Sequence, residues 1–143
     1  MSLKIALVGT GNIAAHHVRW EADPAAVVFP LGEAEFVAVM DQDGARARSF
    51  AQKFDIPTAY TDVDLLLAKE TPHIVIIATP PQSHAALAIK AMEAGAWVLC
   101  EKPLCGSLRE LDAIQAAEER TGQHCSSVFQ FRFGGASQHL KRM

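Results

Sequence analysis

Residues 4–14 read Lys4-Ile5-Ala6-Leu7-Val8-Gly9-Thr10-Gly11-Asn12-Ile13-Ala14, and the fold is decided there. Lys4 to Val8 is a short apolar run with β-branched members, the pattern of a buried strand; the glycines interrupt it, and Asn12 to Trp20 can continue as a helix. Strand, tight turn and helix in so short a span open a βαβ unit. The turn also matches GxGxxA, lying between the first strand and the first helix where a dinucleotide fingerprint must lie. Gly9 permits the tight turn, Gly11 lacks the Cβ that would block a pyrophosphate, and Ala14 is small enough for the helix to pack closely on the sheet. Amides at the helix N-terminus then face phosphate, where the macrodipole favours negative charge. An ordinary Gly-rich strand-to-helix turn would show the same bare pattern, and it is the placement in the fold that favours the fingerprint.

Downstream the alternation repeats. Phe36 to Met40 reads as the next strand, and Gly44 to Phe54 as a helix with Ala47, Phe50, Ala51 and Phe54 at helical spacing. Thr58 to Tyr60 is a brief strand, and Asp62 to Ala68 a short helix for which Thr61 is the expected cap. Ile74 to Ala78 is continuously apolar, which suits a central parallel strand covered by helices on both faces. Gln82 to Ala94 reads as a helix closed by Gly95, and Trp97 to Cys100 as a strand. Ser107 to Arg120 is a helix with Ser107 and Glu110 at capping-box spacing and Gly122 beyond its end. Ser126 to Phe129 is the last strand expected, and Ala136 to Met143 resembles the opening of a further helix. Alternating strands and helices with right-handed crossovers assemble into a doubly wound parallel sheet of the α/β class, a Rossmann dinucleotide-binding domain.

With 143 residues the chain has the length of one domain, and half its residues are hydrophobic, enough for a real core and against intrinsic disorder. Thirteen Lys and Arg against sixteen Asp and Glu give a formal charge of −3, so no basic face is expected to neutralise a nucleic-acid backbone. The apolar runs fall far short of the roughly 20 residues that cross a bilayer, and the N-terminus lacks the pattern of a signal peptide. A cytoplasmic protein without membrane contact is expected. Cys100, Cys105 and Cys125 are odd in number with no CxxC, which suggests neither a disulfide framework nor a metal site.

Asp41 follows the second strand, where a carboxylate can accept hydrogen bonds from both ribose hydroxyls of an adenosine and repel a 2′-phosphate. No basic residue stands at positions 42 or 43, which points to NAD rather than NADP. Asp41 lies farther than the usual roughly 20 residues from the glycines, and an extended loop from Glu21 to Glu35, with Pro24, Pro30 and Gly32, accounts for the extra length. Asp41 could instead cap a helix, although Asp43 is better placed for that. Thr79-Pro80-Pro81-Gln82-Ser83-His84 leaves the C-terminal end of the buried strand, the edge at which open parallel sheets bind ligands. His84 there either touches a cofactor or starts its helix. His16, His17, His73, His124 and His139 have no ligand-like pattern and read as ordinary surface or core residues. Glu101-Lys102-Pro103 follows Trp97 to Cys100 at the same edge, where a lysine can hydrogen-bond a substrate hydroxyl and help remove its proton as hydride leaves the carbon. Taken alone, the Glu-Lys pair reads as solvated surface charge.

In their order, GTGNIA, VMD, ATPPQSH and CEKP resemble the N-terminal half of the glucose–fructose oxidoreductase and inositol dehydrogenase family, Gfo/Idh/MocA. The resemblance runs from Lys4 to Gln130-Phe131-Arg132-Phe133, which is similar to that family's crossing into a second domain. It implies an oxidoreductase that uses NAD or NADP on a hydroxyl or ketone of a sugar, cyclitol or related polyol, with Asp41 making NADP the less expected of the two. By position, Gly9, Gly11 and Ala14 would hold pyrophosphate, with Thr10, Asn12 and Ile13 of the same turn beside the cofactor. Asp41 would hold the adenosine ribose, Thr79 and Pro80 the central part, and Glu101 would lie near the nicotinamide ribose. Lys102 would be the catalytic lysine. The family's C-terminal substrate domain has no counterpart here, so residues 1–128 are expected to form the dinucleotide-binding domain and 129–143 the crossing segment. Phe129, Phe131 and Phe133 alternate on one strand face, which suggests self-association or a covering partner in place of that domain. The competing reading is a stand-alone, non-catalytic nucleotide-binding or sensory module; an adenosyl-methionine-dependent methyltransferase shares the glycine turn but leaves the EKP tripeptide unexplained.

Overall fold

The computed structural model describes residues 2–18, 34–130 and 135–143. Six strands, β1 (Leu3–Val8), β2 (Ala34–Met40), β3 (Thr58–Tyr60), β4 (Ile74–Ile77), β5 (Trp97–Cys100) and β6 (Cys125–Ser127), pair in parallel in the order β3-β2-β1-β4-β5-β6. This is the 3-2-1-4-5-6 arrangement of two mononucleotide-binding halves, so the expected doubly wound sheet is the one that forms. The helices are α1 (Ala14–Val18), α2 (Gly44–Lys53), α3 (Val63–Glu70), α4 (His84–Glu93), α5 (Leu108–Thr121) and α6 (Gly135–Arg142). The expected loop from Glu21 to Glu35 lies outside the described residues apart from Ala34 and Glu35, which open β2. Phe131 and Phe133 also lie outside them, while Phe129 is exposed.

Side chains alternate across the sheet, and the alternation builds two cores. Ala6, Val8, Val75, Ile77, Val98 and Cys100 point to one face, where Leu66 and Leu67 of α3, Ala88 and Met92 of α4 and Ile114 of α5 close over them. Ile5, Leu7, Val39 and Ile76 point to the other, against Ala14 and Val18 of α1 and Phe50 and Ala51 of α2. That double cover explains why β1 and β4 read as unbroken apolar runs.

The elements differ from expectation mostly at their ends. Asn12 and Ile13 belong to the turn, and α1 begins at Ala14. Asp62, not Thr61, caps α3, its carboxylate accepting from the Leu65 amide at 2.8 Å. The expected Gln82–Ala94 helix is a 3-10 turn over Pro81–Ser83 followed by α4. Ser107 caps α5 by accepting from the Glu110 amide at 3.2 Å, but the Glu110 carboxylate reaches the Gly106 amide at 2.6 Å rather than that of Ser107. β6 begins one residue before the expected Ser126, because Cys125 pairs with Val98.

Candidate functional site

The C-terminal ends of the strands carry a cleft of about 950 Å³, framed by the β1–α1 turn, the β2–α2 junction and the loop after β4. It opens where the chain leaves β1 toward one side of the sheet and β4 toward the other, the crevice in which such sheets take ligands. Gly9, Thr10, Gly11, Asn12, Ile13, Asp41, Thr79 and Pro80 all line it.

Two glycines shape the turn for different reasons. Gly9 has φ +95°, its amide donates to Met40 O at 2.8 Å, and a Cβ there would stand 2.7 Å from the Ala78 carbonyl carbon and oxygen. The turn therefore lies directly on the end of β4, which only glycine allows. At Gly11 a Cβ would meet nothing within 4 Å, so the space over that residue is open to a ligand. Ala14 is fully buried against the sheet.

Asp41 is buried at the end of β2 and its carboxylate is fully engaged. Oδ2 accepts from the Thr10 amide at 3.0 Å and the Thr10 hydroxyl at 2.7 Å; Oδ1 accepts from the Asp43 amide at 3.0 Å. The Arg46 guanidinium lies across both oxygens at 2.8 and 3.0 Å. Burial by itself would raise this carboxyl, but the bonds from Arg46, the Asp43 amide and Thr10 outweigh it and hold the group down at about 2. An ionised carboxylate thus stands at the end of β2, paired with the Arg46 cation. Asp43, as expected, caps α2, accepting from the Ala45 and Arg46 amides at 2.9 and 3.2 Å.

Beyond β4, Ser83 Oγ donates to Thr79 Oγ1 at 2.7 Å and fixes the loop that presents Thr79 and Pro80. His84 does not join them. Its ring is fully buried, with Nδ1 2.7 Å from Pro103 O and Nε2 2.8 Å from Thr79 O, so it ties two loops together beneath the surface, and of its two readings the start of the helix is the one seen, α4 opening at His84. Glu101 and Lys102 sit on the neighbouring strand end, outside the lining of the cleft. The Glu101 amide donates to Ile77 O at 2.9 Å, its Oε2 accepts from the Lys102 amide at 3.2 Å, and its Oε1 lies 2.8 Å from His17 Nε2 on α1. Lys102 is exposed, and its ammonium has no hydrogen-bond or ion-pair partner among the described residues.

Residues 3–129 match the family GFO_IDH_MocA, described as "Oxidoreductase family, NAD-binding Rossmann fold". The chain belongs to this family. Among relatives of the Gfo/Idh/MocA family, a D-apiose dehydrogenase of Paraburkholderia graminis is 34% identical over 139 residues, 97% of this chain and 35% of its own length. A D-xylose 1-dehydrogenase (NADP(+)) of Haloferax volcanii is 38% identical over 101 residues, 71% of this chain and 31% of its own. In three dimensions the chain superposes with a TM-score of 0.87 and 28% identity on the WlbA dehydrogenase of Chromobacterium violaceum, solved with NADH and UDP-GlcNAcA, over 99% of this chain and 39% of that one. The chain therefore spans between about a third and two fifths of these relatives.

Within this Gfo/Idh/MocA frame, two participants escaped the sequence reading. Arg46 lines the cleft and covers Asp41, although positions 42 and 43 carry no basic residue. Its signal was the start of α2 immediately after Asp41, since a side chain in a helix's first turn faces the same sheet edge. His17, read as an ordinary histidine, pairs with Glu101 across 84 residues of sequence, and nothing local marks it. Burial pushes the Cys100 thiol up to about 12 and that of Cys125 up to about 11. Among the described residues no cluster of metal-ligating side chains occurs, and no helix is long and apolar enough to cross a membrane.

Proposed function

We propose that this chain is the cofactor domain of a cytoplasmic oxidoreductase that binds NAD(H) in preference to NADP(H) and acts on a hydroxyl or ketone of a sugar, cyclitol or related polyol. One observation carries the reading: the open space over Gly11 and the ionised Asp41 line the same cleft, the first suited to a pyrophosphate and the second to a ribose diol. The sugar dehydrogenases among the relatives support the substrate class.

In this reading the β1–α1 turn holds pyrophosphate, Asp41 the adenosine ribose, and Thr79 and Pro80 the middle of the dinucleotide. A nicotinamide dinucleotide, when bound, supplies the hydride acceptor or donor. Asp41 meets the ribose hydroxyls by exchanging contacts it already makes, so Arg46 and the Thr10 hydroxyl are the groups that give way. Glu101 shapes the loop that carries Lys102 on the adjacent strand end. Lys102 Nζ hydrogen-bonds the substrate oxygen and carries its proton; its exposure, with no hydrogen-bond or ion-pair partner among the described residues, leaves it available for that.

Calorimetric titration of the chain with NAD(H) and NADP(H) tests the proposal. NAD(H) is expected to bind tighter by about 1–3 kcal/mol, the scale of lost ribose bonds plus repulsion of a 2′-phosphate. Equal affinities would remove Asp41 from cofactor selection, and no binding of either would overturn the cofactor reading as a whole.

A further inference from the structure

Among the described residues no hydrogen bond or ion pair holds the Lys102 ammonium, whereas both of its chain neighbours are held by histidines. Pro103 O is held by His84 at the start of α4, whose other ring nitrogen is held at Thr79 O. Glu101 is held by His17 on α1, the helix that follows the glycine turn. The His17 and Glu101 side chains are only 14% and 10% exposed, so the bond is shielded from competing water. Glu101 uses its second oxygen on the Lys102 amide, so the carboxylate joins α1 directly to the backbone of Lys102. Its own amide is anchored to the end of β4. With one oxygen on His17 and the other on the Lys102 amide, the carboxylate is a mechanical link between α1 and the loop, and each oxygen keeps a lone pair for a further donor.

From this chain of contacts we infer that His17 is a positioning residue, acting through Glu101 to set the EKP loop and with it the nicotinamide end of the cofactor site. The inference rests on the cofactor reading above and adds a function for a residue outside the lining of the cleft. Coupling runs from the pyrophosphate-binding turn, along one turn of α1, through His17 and Glu101, to Lys102. Only the nicotinamide half depends on it, because the adenosine half is built from Asp41, Thr10 and Gly11, which the link does not touch.

The test uses this chain and two probes: ADP, which occupies the adenosine and pyrophosphate positions alone, and NADH, which also places a nicotinamide beside the EKP loop. His17→Leu removes the donor. It is expected to weaken NADH roughly tenfold, the scale of one shielded charge-assisted hydrogen bond, and to reduce the emission enhancement of bound NADH, with ADP affinity unchanged. Unchanged ADP binding also shows that the variant folds. His17→Gln, whose amide Nε2 can donate to Glu101, is expected to recover most of the loss. Glu101→Ala, which removes the acceptor, is expected to reproduce the NADH-specific loss, and the double variant to lose no more than Glu101→Ala alone, because both changes break one bond. Equal weakening of ADP and NADH, no weakening of either, failure of His17→Gln to restore NADH, or additive losses in the double variant would each overturn the positioning role while leaving the cofactor reading intact. A native chain that binds neither ADP nor NADH would overturn the cofactor reading and this inference with it.

Discussion

Asp41 places a buried negative charge in the cleft, and its neighbours give that charge a pH window. The folded carboxyl titrates at about 2 against an ordinary value of 3.8, so it binds its proton less readily folded than unfolded. Its stabilising contribution is therefore fully present above about pH 4 and is lost as pH falls toward 2. Asp41→Asn is expected to flatten the loss of stability across that interval in urea unfolding series, and an unchanged acid profile would show that the carboxylate's bonds do not matter to the fold. Arg46 works in two directions. In the proposed cofactor site it would compete with ribose for Asp41, yet its cation would sit favourably beside a 2′-phosphate, so it would moderate a preference for NAD. Arg46→Ala is expected to widen the NAD-to-NADP affinity ratio by about threefold to tenfold. A narrowed ratio in competitive titration would place Arg46 elsewhere in the bound state.

At the scale of elements, the β1–α1 turn separates what the fold requires from what the ligand requires. Gly9→Ala forces a side chain onto positive φ and against the Ala78 backbone, and is expected to cost about 2–4 kcal/mol of stability. Gly11→Val enters open space and is expected to leave stability within about 1 kcal/mol of native while abolishing measurable dinucleotide binding. Chemical denaturation beside NADH titration reads both, and a Gly11→Val chain that still binds NADH would move the pyrophosphate away from this turn. The need for glycine at position 9 was legible in the sequence because a strand-turn-helix pattern demands a tight turn there. The central strands were legible too, since Ile5 to Val8 and Val75 to Ile77 are buried on both faces and admit no polar residue. Local pattern gave out at edges and ends: β6 is three half-buried or exposed residues that no periodicity marks, and two consecutive prolines turned the expected start of α4 into a 3-10 turn. The histidines were illegible for a stronger reason. His17 and His84 owe their roles to partners supplied by a distant loop, so their chemistry exists only once β5 lies beside β4.

Across the whole molecule, the two halves of the sheet meet along one seam, the register Ile5 with Ile74 through Val8 with Ile77. The cleft lies over that seam, with Thr10, Gly11 and Asp41 on one half and Thr79 and Pro80 on the other. A ligand that bridges them binds the folded chain and has no counterpart in the unfolded one, so cofactor must raise the stability of the entire domain. At a hundredfold excess over its dissociation constant, NAD(H) is expected to add about 2.7 kcal/mol, a rise of roughly 6–10 °C in Tm for a chain of this size. Lys102 lies outside the cleft lining, and that makes the thermal shift a way to divide holding from chemistry. Lys102→Ala is expected to keep the full shift, whereas Gly11→Val is expected to lose it. A Lys102→Ala chain whose melting no longer responds to NADH would make the lysine part of the cofactor's grip and remove the case for reserving it to the substrate's proton.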